Sequence, residues 1–208
     1  ERAGKKVLFE KDDIEVAKAE SPAIKVICPE LVRRPKIAYQ DRAFDMQLRG
    51  VCAEYGEVRS EVPVEGRWFT KEDEQEHRRV AFLGDWARNK LFGGRPAVGE
   101  FITVFGMRFT VIGRMDSKIA MGNYYGPDDR AVFIPYTTMG ELFNARYPGN
   151  LVIQPIAAQF EDLAAEQFRA SIARRKGFDP KDKRAVETFG TSDMRPIVDG
   201  LTIGLQGL

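Results

Sequence analysis

The chain has 208 residues, enough to bury a core as one large domain or two small ones. Apolar residues make up 43% and charged residues 30%, ordinary values for a folded protein that argue against global disorder. Its 32 basic and 31 acidic side chains leave a formal charge of +1, without the concentrated basic excess of nucleic-acid binders, so no nucleic-acid partner is expected.

The chain begins Glu1-Arg2-Ala3-Gly4-Lys5-Lys6, with no initiator Met and no charged-then-apolar leader, as expected of a piece of a longer protein. Asp12-Asp13 offers an N-cap before Ile14, Val16 and Ala17, and Ser21-Pro22 ends that short helix. From Ala23 to Glu54 the pattern is extended. Ile24 to Cys28, Ile37 to Tyr39 and Phe44 to Val51 read as strands separated by Pro29, Pro35 and the Gln40-Asp41-Arg42 turn. Tyr55-Gly56-Glu57-Val58 opens a loop-rich passage, and Val62 to Val64 leads to a corner at Gly66-Arg67-Trp68-Phe69.

Lys71 to His77 is a charged turn or short helix, Val80 to Leu83 a compact apolar strand, and Gly84-Asp85 opens a helix ending near Leu91-Phe92-Gly93. Two β-branched, aromatic runs, 101–105 and 108–112, flank Gly106-Met107 and predict a hairpin. Residues 116–130 form a loop long enough to be functional or mobile. Ala131 to Ile134 is a strand, Tyr136 to Phe143 a helical turn, and Asn150 to Ile156 a further strand. Phe160, Leu163, Ala164, Phe168 and Ile172 then recur at helical spacing, with Glu161-Asp162 in the first turn, Arg174-Arg175-Lys176 in the last and Gly177 at the C-cap. The tail from Pro196 to Leu208 turns apolar but falls short of the roughly 20 residues that cross a bilayer. It reads either as the approach to a membrane helix or as a surface helix of the same domain.

Catalytic chemistry is sparse. His77 is the single histidine; with Asp73 and Glu74 it could recruit a metal, but zinc sites want several His or Cys ligands, and a solvated charged turn is the expectation. Ser60 and Ser117 sit in no Gly-x-Ser-x-Gly elbow that would serve a nucleophile. Of the adjacent carboxylates, Asp12-Asp13 and Glu161-Asp162 are explained by helix starts and Asp128-Asp129 by a turn. Gly93-Gly94-Arg95-Pro96 lacks the Gly-Lys-Ser/Thr ending of a phosphate loop. Cys28 and Cys52 are compatible with one disulfide or with two buried thiols. Trp68 and Trp86 read as core residues. The binding candidate is the glycine-flanked run Ile119 to Gly126, whose Met121, Tyr124 and Tyr125 suit a protein interface, against the alternative of a loop folded back on its own sheet.

The order of these words carries a resemblance. Gly66-Arg67-Trp68-Phe69-Thr70, Arg79-Val80-Ala81-Phe82-Leu83-Gly84, Leu91-Phe92-Gly93, Pro96 to Val104, Phe109 to Gly113, and Val132-Phe133-Ile134-Pro135-Tyr136-Thr137-Thr138 follow one another. With Arg174-Arg175-Lys176-Gly177-Phe178-Asp179-Pro180, the series resembles the extracytoplasmic core domain of MacB-type ABC transporter permeases, whose relatives include the lipoprotein-release permeases and FtsX. The resemblance implies an α+β fold of two subdomains. A βαβ-rich, porter-like outer unit would comprise 1–56 plus 146–190, an inserted β-rich, sabre-like unit 57–145, and 191–208 would approach a membrane helix.

It further implies a domain on the periplasmic or extracellular side of the cell membrane that transmits ATP-driven motion and has no catalytic residue, metal or cofactor of its own. The partners implied are an ABC ATPase domain or subunit, a periplasmic adaptor protein or lipoprotein carrier, and a second permease subunit as homodimer or heterodimer. Two rivals are an extracytoplasmic ligand- or peptide-binding module without a transporter, using the 116–130 loop, and an enzyme built on scattered carboxylates.

Overall fold

A computed structural model of the chain describes residues 8–117, 126–182, 187–189 and 201–204. The fold is α+β. In chain order the first elements are α1 (Lys11–Ala19), β1 (Ile24–Arg33), β2 (Lys36–Tyr39), β3 (Arg42–Asp45), β4 (Gln47–Val51), α2 (Tyr55–Val58) and β5 (Pro63–Gly66). There follow α3 (Lys71–Gln75), β6 (Val80–Leu83), α4 (Asp85–Phe92), β7 (Phe101–Val104), β8 (Met107–Met115), α5 (Gly126–Asp129), β9 (Ala131–Pro135) and α6 (Tyr136–Leu142). The last are β10 (Asn150–Pro155), α7 (Glu161–Lys176), β11 (Glu187–Phe189) and β12 (Leu201–Gly204).

The elements divide into two compact units: the described residues up to Glu30 with those from Arg146 onward, and Leu31–Ala145. In the first unit the strand order is β11-β12-β10-β1, and every ladder is antiparallel. Helices α1 and α7 pack on each other, and Phe9, Ala17, Ile24, Leu151, Ile153, Ala164, Phe168 and Ile172 form the core. The periodicity of α7 holds for Ala164, Phe168 and Ile172, which face that core with Phe160 packed against it, whereas Leu163 is exposed; Gly177 closes the helix in the left-handed conformation at φ 73°. The basic last turn is also used. Lys176 Nζ lies 2.6 Å from the buried Asp13 carboxylate, Arg175 also bonds Asp13, and Arg174 reaches Glu20 at 2.6 Å.

Asp13 is therefore more than an opening residue of α1. Glu10 is the N-cap, and Asp13 reaches back to accept its N–H at 2.8 Å. Burial pushes the Asp13 carboxyl up, and the Glu10 N–H, Lys176 and Arg175 together bring it below the ordinary carboxylate value.

In the second unit the order is β4-β9-β6-β8-β7-β2-β3, with β5 added to β8 and the last residues of β1 paired to β4. Ladders β4/β9 and β6/β8 are parallel and the others antiparallel. Leu48, Leu83, Leu91, Phe92, Ile102, Phe109, Val132 and Met139 belong to its core.

Several local expectations change. Pro29 does not break β1: the strand runs through it, pairing with β10 up to Glu30 and with β4 from Leu31. A residue without an N–H is tolerated where the strand changes partner. The outer segment of the first unit thus ends at Glu30, and the chain re-enters that unit at Arg146. The hairpin turns one residue early, on Phe105-Gly106, because the two-residue turn needs two left-handed positions and these residues take φ 50° and 73°. Within the tail, residues 201–204 form β12, a strand paired to β10, in place of the surface helix that is one of the two readings. β-branched and apolar residues serve either role, and only a partner strand decides it.

Candidate functional site

Met121, Tyr124 and Tyr125, the residues favoured by sequence for partner binding, lie outside the described residues. What the described residues offer is an open groove of about 460 Å³ in the second unit, beside α2 and the corner that follows β5. Val62, Pro63, Trp68 and Phe69 supply its apolar surface; Glu54, Glu57, Glu61 and Lys71 supply its charge.

The tryptophan is fixed from three directions. Its indole N–H donates to the Ala53 carbonyl at 2.9 Å. Its ring lies 4.4 Å from Phe69, 4.8 Å from Phe82 and 5.4 Å from Phe133, centroid to centroid. From the third side comes Gly56 in α2, where a Cβ would stand 2.8 Å from three indole atoms. A Cβ so close is forbidden by sterics, so a residue lacking one is required for α2 to reach the ring. Trp68 is accordingly both core and groove surface, where sequence expects only core.

The far wall is α3. Thr70 caps it, accepting the Asp73 N–H at 3.2 Å while Asp73 accepts the Thr70 N–H at 2.8 Å. Asp73 is fully buried and also accepts from Arg67 at 2.6 Å and Arg78 at 3.0 Å. Burial pushes its carboxyl up; the Arg67 bonds, the Thr70 N–H and Arg78 outweigh that and hold it down at about 2. Lys71 lies 2.9 Å from Glu54, a hydrogen bond that raises its ammonium pKa. Glu74 moves the other way from Asp73: burial raises it, offset in part by the Ala53 N–H it accepts at 2.8 Å.

A charged cluster that sequence misses joins α2 to β4 and α5. Asp128, expected in a turn, is buried in α5 between Arg49, which it bonds directly, and Arg59 at 3.4 Å. Arg49 also donates to Tyr55 Oη at 3.1 Å, tying β4 to α2. A carboxylate clasped by two guanidinium groups makes strong charge-assisted hydrogen bonds, so the cluster ties β4 and α2 to α5. The available signal was Arg49 itself, a charge set between Leu48 and Gly50 in a strand whose remaining polar residue is Gln47.

Residues 2–175 match the family described as the MacB-like periplasmic core domain. The chain belongs to this family. Among the curated relatives of this MacB-like domain are a macrolide export ATP-binding/permease protein MacB of Bdellovibrio bacteriovorus, 30% identical over 154 residues, and the pyoverdine export ATP-binding/permease protein PvdT of Pseudomonas aeruginosa, 29% identical over 149. The matches cover 74% and 71% of the chain but only 24% and 22% of those proteins, so the chain spans about a quarter of their length.

The fold is that of the periplasmic region of MacB from Actinobacillus actinomycetemcomitans, with a TM-score of 0.71 at 16% identity over 84% of this chain and 77% of that one. The extracellular domain of the noncanonic ABC-type transporter YknZ from Gram-positive bacteria matches at 0.70 and 20%, over 83% and 87%.

The other sequence candidates fall into place around this MacB-like fold. His77 takes a left-handed backbone at φ 53° and its ring nitrogen lies 3.3 Å from Glu141, both side chains about half exposed. Among the described residues, no group of three or more His, Cys, Asp or Glu is arranged for a metal. Ser117 is exposed, and Ser60 ends α2 at φ 54°. Glu161 and Asp162 open α7, as read. Neither cysteine is free: Cys28 and Cys52 are each disulfide-bonded. No helix among the described residues is long and apolar enough to cross a membrane.

Proposed function

We propose that this chain is the periplasmic or extracellular domain of an ABC transporter permease and that it passes ATP-driven motion to partners or cargo outside the membrane. The observation that carries the reading is the weaving of both terminal segments into one unit. β1 pairs with β10, β10 pairs with β12, and α1 packs on α7. A body gripped by both of its terminal segments moves as a whole when those segments are displaced. The named relatives are ATP-binding/permease proteins, which supports an ATPase on another domain or subunit of the intact transporter. The domain itself needs no cofactor for this work. Its wiring fits that economy, since Asp73, Asp128 and Asp13 are all consumed by arginine or lysine.

An adaptor protein or lipoprotein carrier outside the membrane, and a second permease subunit within it, are the partners this role calls for. In this scheme the outer unit corresponds to the porter-like part and the inserted unit to the sabre-like part. Cargo follows no local signature in the chain. The test replaces residues 8–204 in the full-length permease by a glycine–serine linker. ATP hydrolysis by the reconstituted transporter should persist while cells lose resistance to a panel of amphipathic antibiotics or lose siderophore release. Undiminished export by the domain-less permease would sink the proposal.

A further inference from the structure

We infer that the cationic surface around α4 docks an acidic segment of a partner polypeptide. The inference names the chemistry that a partner outside the membrane presents, and it rests on the proposed function. Arg42, Arg88, Lys90, Arg95 and Arg130 gather on α4, on the turn after it and on the segments packed beside it. Lys90 and Arg130 lie over the Trp86 indole, 5.6 Å and 5.2 Å from its centroid, and Lys90 is also 5.2 Å from the Phe44 ring. Arg42 donates to the Lys90 carbonyl at 3.4 Å, close over Gly93, where a Cβ would stand 2.6 Å from the guanidinium. Arg95 donates to the Phe92 carbonyl at 3.0 Å and lies 5.4 Å from the Tyr39 ring. A terminal nitrogen of Arg88 lies 4.0 Å from where a Cβ would stand on the exposed Gly94.

Every one of these contacts is with a neutral group. Among the described residues, no carboxylate stands within ion-pair distance of the five cations. The acids on the neighbouring segments are placed otherwise: Asp45 pairs with Lys36 at 3.7 Å, Asp85 accepts from Asn89 at 3.4 Å, and Asp128 is clasped by Arg49 and Arg59. Asp41, exposed in the β2–β3 turn, pairs with none of the five. Arg42 and Arg95 also complement the negative end of α4, yet a backbone carbonyl leaves the guanidinium charge in place. Arg88, Lys90 and Arg130 make no such bond, and the Nε–H of Arg88 is buried without an acceptor, a donor left unsatisfied at a free-energy cost. The charge complementary to this surface is negative.

Its extent calls for a polyanion. The cations run from Trp86 in the first turn of α4 to Arg95 beyond its last, and eight helical residues alone cover about 12 Å. One carboxylate or phosphate group cannot reach along that row, whereas a chain bearing several carboxylates can. Arginine supplies most of the row, and its planar fork matches a carboxylate with two parallel hydrogen bonds. A lipid surface fits less well, because it rewards apolar side chains that can insert. The large apolar residues that stand exposed are Leu8, Val62, Val64, Phe101, Phe105, Ile156 and Leu163, and none of them belongs to α4, β2 or β3.

The probe is a fluorescein-labelled, end-blocked peptide alternating glutamate and serine, titrated with the chain and read by anisotropy. A glutamine–serine peptide of equal length, inorganic phosphate as competitor and phosphatidylglycerol vesicles are the comparators. The acidic peptide should bind saturably, and added salt should weaken it. Its affinity should fall about fivefold in Lys90→Glu and in Arg130→Glu, and about twentyfold in the double variant. Arg130→Gln, which removes a charge without adding one, should cost about twofold. Lys18→Glu, at an exposed position of the first unit, changes net charge as much as Lys90→Glu and should leave the affinity unchanged. Circular dichroism reports that each variant is folded.

The inference is overturned by equal binding of the glutamine–serine peptide, by no saturable binding of the acidic one, or by Lys18→Glu weakening it as much as Lys90→Glu. Phosphate displacing the peptide at the peptide's own concentration would reduce the surface to a site for one anion. Vesicles bound in place of any peptide would assign it to lipid. Either result also overturns the inference. None of these outcomes alters the result of replacing the domain in the full-length permease, so the two readings fail separately.

Discussion

Replacing Asp73 by asparagine removes one negative charge from a fully buried site while keeping an oxygen that can still accept the Thr70 N–H. The carboxylate is held down at about 2 against an ordinary 3.8. At about 1.4 kcal/mol per unit, that difference corresponds to about 2 kcal/mol of native-state preference for the ionised form. Arg67 and Arg78 are about half exposed, and solvent screening keeps the figure below the 3–5 kcal/mol typical of breaking a fully buried pair.

Because the folded pKa is depressed, this stabilisation is fully present above the unfolded value near 4 and is lost as pH falls through about 2. Urea unfolding of the chain and of Asp73→Asn should therefore differ by about 2 kcal/mol at neutral pH. The two curves should converge as pH drops from about 5 toward 2. Asp13, also depressed, is present in both proteins and cancels. A gap that stayed constant down to pH 2, or no gap at pH 7, would refute the linkage argument.

Gly56→Ala should cost about 2 kcal/mol and shift Trp68 fluorescence, since the added methyl would meet the indole ring at 2.8 Å; a thermal melt and an emission spectrum check both. Phe105→Asn should stabilise by about 0.5 kcal/mol in urea titration. Residue 105 holds φ 50° on an exposed turn, which asparagine accepts more readily, and the gain is trimmed by the lost ring contact with Phe143 at 5.4 Å. Phe168→Ala should cost about 3–5 kcal/mol, because the ring is fully buried against Phe9 and Ile172; protection of α7 amides from hydrogen exchange should fall with it.

The elements that sequence reveals are those whose signal is local. The apolar stripe of α7, its acidic start and basic end, the glycine after it, and the β-branched runs of β6, β7, β8 and β9 all declare themselves without a neighbour. What stayed hidden depends on distant partners. β1 continues through Pro29 only because β10 hands it over to β4, and β12 is a strand only because β10 accepts it. The groove was equally illegible. Glu54, Glu57 and Lys71 look like ordinary surface charge, and nothing in the order of residues tells that Gly56 clears room for Trp68. Asp128 shows the same limit, since its turn-like setting conceals arginines drawn from β4 and from the end of α2.

The register between β1 and β10 has a consequence for how the molecule comes to be built. Glu30 lies opposite Asn150 and its carbonyl accepts the Gly149 N–H at 3.0 Å, so the two strands form a hairpin whose connecting turn is the whole second unit. Closing a tether of more than a hundred unstructured residues costs about 3 kcal/mol more than closing a tight turn. Once residues 31–145 have folded, their two ends are already held near each other and most of that penalty is gone. Loop-closure entropy therefore favours an order in which residues 31–145 take shape before β1 and β10 pair, an order that pulse-labelling hydrogen exchange would read directly.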